Sequence, residues 1–199
     1  MDFISRPTKD IDILKQTFLT QEQVDKMREK LIEHGDILLQ TYAMFSLSTM
    51  ARVHAVANVK WGQIDFEQRV CNDVLEKEGK YVTLYFSQEV KDLLLELKQY
   101  YINNKIETNG YVFVNKDTGK PMTTSTFDSW CKTIGNMIGV PSLHAHDFSH
   151  SGSQLMKLKG AKIETISSLL NHSGLDVTRK FYLRPDKAKI QAEKDKFQF

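Results

Sequence analysis

The stretch that decides the fold runs from His144 to Arg184, HAHDFSHSGSQLMKLKGAKIETISSLLNHSGLDVTRKFYLR. Its apolar positions recur at helical spacing and predict helices over 146–159, 163–171 and 174–181, with Gly160 separating the first two. Four of the six histidines lie in it, His144, His146, His150 and His172, among the cations Lys157, Lys159, Lys162, Arg179, Lys180 and Arg184. These cations either outline a surface for the backbone of a polyanion or are ordinary solvated helix residues, and their spacing fits both.

Upstream, Thr20 followed by Gln23 is a helix N-cap and capping box, and Val24, Met27, Leu31 and Ile32 continue it to about His34, with Gly35 as the stop. A second helix is expected over Ile37 to about Leu47 and a short third over Val53–Val59. The alternation around Ile64, Phe66, Val70, Val82, Leu84 and Phe86, with turn chemistry at Lys77-Glu78-Gly79-Lys80, predicts a small antiparallel sheet. Helices follow over Gln88 to about Asn103 and over 124–138, and Tyr111–Val114 reads as a short strand before a turn at Thr118-Gly119-Lys120-Pro121. The class is mainly α with a small antiparallel β-sheet. Residues 1–16 read as a linker, 17–185 as one domain, and 186–199 as a charged C-terminal tail that forms a helix and docks on something.

A chain of 199 residues, 41% hydrophobic, is long enough to bury a core as one domain. Its 27 Lys and Arg against 25 Asp and Glu give a net charge of +2, so any anion-binding surface must come from the arrangement of charges. Cys71 and Cys131 lie far apart with no CxxC spacing, which indicates neither a zinc site nor a disulfide framework. No stretch approaches the ~18 apolar residues that span a bilayer and the N-terminus has no apolar signal region, so a cytoplasmic protein is expected.

Three patches in the right order resemble the tyrosine recombinase (phage integrase) family, over about residues 18–184. Phe18-Leu19-Thr20 and Ser48-Thr49-Met50-Ala51-Arg52-Val53 look like the domain entry and the box around the first active-site arginine, and Trp61-Gly62-Gln63-Ile64-Asp65 resembles the lead into the sheet. Lys77-Glu78-Gly79-Lys80-Tyr81-Val82-Thr83-Leu84 is similar to the hairpin bearing the catalytic lysine, which aligns with Lys77 or, alternatively, Lys80. The opening stretch is similar to the second box, from a His-x-x-Arg motif at His146 through a Leu-Gly-His motif at Leu170-Asn171-His172 to the nucleophilic tyrosine at Tyr182.

The resemblance implies the catalytic-type domain of a DNA strand-transfer enzyme, in which a tyrosine hydroxyl attacks a phosphodiester and leaves a 3′-phosphotyrosine. Neither a metal nor a small-molecule cofactor is implied, and the histidines fall in segments the family uses for phosphate. The implied catalytic set is Arg52, Lys77, His146, His172 and Tyr182. The implied DNA contacts are Arg52, Lys77, Lys80, His146, His150, His172, Arg179 and Lys180 to double-stranded DNA. Guanidinium forks suit this task because charge builds on non-bridging phosphate oxygens, which accept paired hydrogen bonds. Imidazole and lysine move protons.

The chain departs from the pattern at three places. Ser149 stands where the second arginine is expected, three residues after His146. Losing one preorganised donor costs about 10² to 10³ in rate, and a cationic fork at least as much. Ala55 stands where an acidic residue usually holds the first arginine. The tyrosine falls ten residues after His172 where nine is usual, a position here held by Phe181, and one helical residue turns a side chain by ~100°.

The expectation is therefore a DNA-binding protein that has lost strand cleavage and serves as a regulator or repressor of phage or mobile-element origin. The alternatives are a working recombinase using Tyr182 and an interaction module that self-associates through the tail. The family usually places a separate DNA-clamping helical domain ahead of this one, and this chain is expected to lack it.

Overall fold

Thr20 starts the first helix, α1 (Gln21–His34): its hydroxyl accepts from the Gln23 N–H at 3.2 Å, and the Gln23 carboxamide accepts from the Thr20 N–H at 2.8 Å. Gly35 ends it in the left-handed conformation at φ 73°. This computed structural model describes residues 18–170. The linker, the helix expected over 174–181 and the C-terminal tail lie outside the described residues.

Asp36 caps α2 (Ile37–Thr49), its carboxylate accepting from the Leu38 and Leu39 amides. This helix is apolar on nearly every side and runs through the centre of the core, as a helix without a polar face must. It packs on α1, on α4 (Gln88–Asn103) and on α6 (Ala145–Leu158). Tyr42 stacks flat on Phe127 of α5 (Thr124–Ile138), with centroids 4.5 Å apart, and meets Phe113, Trp130 and Phe148 edge-on. Its hydroxyl lies 3.4 Å from the Cys131 sulfur. Burial raises the Cys71 and Cys131 thiols to about 12, so both are inert core residues.

A short α3 (Val53–Asn58) leads into a three-stranded antiparallel sheet in the order β1 (Ile64–Asp65), β2 (Val70–Leu75), β3 (Tyr81–Tyr85). Phe66 lies in the turn between β1 and β2, because the Asp65 carboxylate accepts from the Glu67 and Gln68 amides and closes a local turn there. Strands β2 and β3 pair Val74 with Val82 and Leu75 with Tyr81, with a bulge between Cys71 and Val74. The expected turn joins them, with Glu78 at φ 62° and Gly79 at φ 72°.

The segment expected to be a strand, Tyr111–Val114, is not one. It makes only isolated bridges, Lys60 with Tyr111 and Val114 with Pro121. Val112, Phe113 and Val114 are buried instead among the helices, which satisfies an apolar run without a ladder. The last described helix is α7 (Ile163–Leu169), whose Ile166 packs with Met50 and Leu170.

Candidate functional site

The site begins where α2 stops. Met50 takes left-handed angles (φ 54°, ψ 23°), and the chain turns through Ala51 to Arg52, which is extended and precedes α3. Two contacts from α6 hold this turn in place. The Ser149 hydroxyl donates to the Met50 carbonyl at 2.7 Å. Gly152 lies so close to α2 that a Cβ there would sit 2.6 Å from the Leu47 carbonyl oxygen.

Arg52 is therefore delivered to a cleft of 330 Å³ lined by Val53, His54, Glu76, Lys77, Lys80 and His146, among others. Its Nη1 donates to Glu76 Oε2 at 2.9 Å, and the Glu76 side chain is only 7% exposed. Glu76 follows β2 and closes the hairpin, its amide donating to the Lys80 carbonyl at 2.7 Å. The carboxylate that holds the arginine thus comes from the sheet, not from position 55, where Ala55 is fully buried.

His146 enters from the first turn of α6, which the Asp147 carboxylate caps by accepting from the His144 amide at 2.7 Å. The residue remains exposed to solvent. Crowding by protein atoms, and then the charge of Arg52, hold its pKa below the usual 6.5; Asp147 pulls the other way, and Lys77 adds a weaker push downward. At neutral pH it is an uncharged imidazole beside two cations, able to accept a proton or to donate a hydrogen bond.

Of the residues singled out in the sequence, Arg52, Lys77, Lys80 and His146 meet in this cleft. His150 does not line it: one turn further along α6 it is 7% exposed, with its ring edge-on to Phe18 at 5.9 Å, and it presents little surface to a ligand. Ser149 does not line it either; it is 1% exposed and directed at the Met50 carbonyl. His172, Arg179, Lys180 and Tyr182 lie outside the described residues. Glu76 and His54 line the cleft without having been singled out. The sequence signal for Glu76 was a carboxylate directly before the hairpin lysine in a chain with alanine at position 55; His54 had no comparable signal.

A larger groove, 440 Å³, opens between Phe18–Gln21 and the end of α6; it is mostly apolar, Lys159 lines it, and none of Arg52, Lys77, Lys80 and His146 does. Among the described residues no group of three His, Cys, Asp or Glu side chains is placed to hold a metal, and no helix is long and apolar enough to cross a membrane.

The mainly helical fold with a three-stranded antiparallel sheet is the class the sequence led one to expect, and Arg52, Lys77, Lys80 and His146 line one cleft in it. The phage integrase family model matches residues 17–189, and the chain belongs to that family. It is 26% identical over 210 residues to a protein described as tyrosine recombinase XerC-like from Caldanaerobacter subterraneus subsp. tengcongensis, covering 88% of this chain and 52% of that protein. A probable integrase/recombinase of Acholeplasma phage L2 is 22% identical, covering 80% of this chain and 54% of the relative. The chain spans about half the length of these curated relatives. The fold is that of the tyrosine recombinase catalytic domain. The crystal structure of XerA recombinase superposes with a TM-score of 0.78 at 18% identity, over 92% of this chain and 66% of that one. XerH recombinase, bound to its palindromic difH substrate in a post-cleavage complex, gives 0.74 at 19% identity, over 89% and 52%.

Proposed function

We propose that this chain binds double-stranded DNA through the Arg52 cleft and does not cut it. The observation that carries the second half is Ser149. Where the family pattern places a second guanidinium, the hydroxyl turns inward to the Met50 carbonyl, and Arg52 is the one arginine among the described residues lining the cleft. Holding a phosphate in its ground state needs fewer donors than stabilising a pentavalent phosphate, so the cleft keeps recognition while lacking a main source of rate. Binding without cleavage suits a regulator or repressor, and the likeness to an integrase of a phage fits an origin in a phage or mobile element.

The test is fluorescence anisotropy with duplex DNA at low salt. Arg52→Ala is expected to weaken binding by about 10- to 100-fold, the worth of a charge-assisted hydrogen bond. No affinity for any duplex would end the proposal.

One observation favours a working recombinase as the second reading: Glu76 supplies the carboxylate that position 55 lacks, so Arg52 is anchored. That reading requires a protein–DNA adduct that survives denaturation and disappears in Tyr182→Phe. Self-association we assign to the tail from Lys187 onward; sedimentation that is unchanged after removal of residues 186–199 would refute it.

A further inference from the structure

Glu76 is a puzzle for any phosphate-binding cleft. A carboxylate beside the ligand's position repels it, so on Coulomb grounds alone its removal should tighten binding. Yet this one is nearly buried, and it makes two connections at once. Its side chain accepts from Arg52 at 2.9 Å, and its backbone amide closes the hairpin on the Lys80 carbonyl at 2.7 Å. The turn that follows carries Lys77, whose charge is felt at His146.

We propose that Glu76 is a positioning residue that locks Arg52 and the Lys77 turn together, so that the guanidinium and the hairpin lysine meet a phosphate as one preorganised unit. The proposal deepens the phosphate-binding reading above and rests on it. An acid on α3 would hold the arginine from its own neighbourhood in the chain. Here position 55 is a fully buried alanine, and the anchor comes from the sheet. The arginine's placement therefore depends on the hairpin being closed, and the hairpin's placement on the arginine. A guanidinium has five N–H donors, so a contact through Nη1 is compatible with a second, paired contact to phosphate.

The sign of one substitution separates this role from simple repulsion. Glu76→Gln keeps the shape and an accepting oxygen while removing the charge. Positioning predicts weaker duplex binding, by about tenfold, the usual cost of losing the group that orients a ligand-binding side chain. Repulsion predicts tighter binding. In an Arg52→Ala background the same substitution is expected to weaken nothing. Unchanged or tighter binding of Glu76→Gln in the parent, or an equal loss in the Arg52→Ala background, would overturn the proposal.

A measurement without DNA keeps the two readings apart. In NMR spectra of the whole chain, the Arg52 guanidinium should rotate slowly in the parent and quickly in Glu76→Gln, and the amides of residues 77–80 should exchange faster in Arg52→Ala. Those signatures in a protein without DNA affinity would refute the phosphate reading and leave the lock standing. A freely rotating guanidinium in the parent would refute the lock itself.

Discussion

The hydroxyl of Ser149 does structural work at a position where the family pattern places catalytic charge. It donates to the carbonyl of Met50, a residue held at φ 54° directly before Ala51 and Arg52. Ser149→Ala removes the donor from a buried carbonyl, which should cost about 1–3 kcal/mol, seen as a lower urea midpoint at unchanged slope. His146 gives a prediction of a different kind. Its pKa is lowered in the folded protein, so between that value and 6.5 the unfolded chain binds more protons. Its neutral form therefore contributes stability that is present above pH 6.5 and lost as pH falls through the folded pKa. A phosphate in the cleft reverses the bias, since an anion favours the imidazolium. DNA affinity at constant salt should rise from pH 8 to pH 6, and this rise should shrink in His146→Gln; a rise undiminished there would remove His146 from the linkage. Arg52, Lys77, Lys80 and His146 were singled out because each falls in a short patch that resembles the family pattern, and the four line one cleft. Glu76 left only a weak signal, a carboxylate beside the hairpin lysine, because its meaning lies in a contact with Arg52, distant in the chain, that the packing of the hairpin creates.

At the scale of elements, the contact between α2 and α6 sets the position of everything in the cleft. At Gly152 the two helices approach closely: a Cβ there would stand 2.6 Å from both the Leu47 carbonyl oxygen and Met50 Cγ. Gly152→Ala forces the helices apart against backbone, which does not yield as a flexible side chain would. The expected cost is about 1–3 kcal/mol, with a matching loss of DNA affinity because the Met50–Arg52 turn moves with α2. A melting temperature and an affinity both equal to the parent's would show that the contact does not govern the site. The boundaries of α1 were legible because caps and apolar period agree, at Thr20, Gln23 and Gly35, while α4, α5 and α6 were placed to within a residue without caps. Tyr111–Val114 misled for a physical reason: three consecutive apolar residues look the same whether a sheet or a ring of helices buries them, and here Phe113 meets Tyr42 and Phe45 instead of pairing in a ladder.

At the scale of the whole molecule, a net charge of +2 spread over 27 cations and 25 anions supplies little long-range attraction to DNA. Binding must then come from local clusters, and its salt dependence counts the phosphates they neutralise. Each neutralised phosphate adds about −0.9 to the slope of log affinity against log salt, so Arg52, Lys77 and Lys80 together would contribute about −2.7 if all three engage. Lys77 and Lys80 both line the cleft, so geometry alone leaves the aligned lysine open between them. The slope distinguishes them. Replacing the lysine that touches phosphate by alanine should flatten it by about 0.9, whereas replacing a solvated one should leave it unchanged. Because Glu76 ties the hairpin to Arg52, and Lys77 follows it directly, Lys77→Ala is the variant expected to flatten the slope, with Lys80→Ala near the parent. The reverse order would assign the contact to Lys80, and two unchanged slopes would remove the hairpin from the DNA interface altogether.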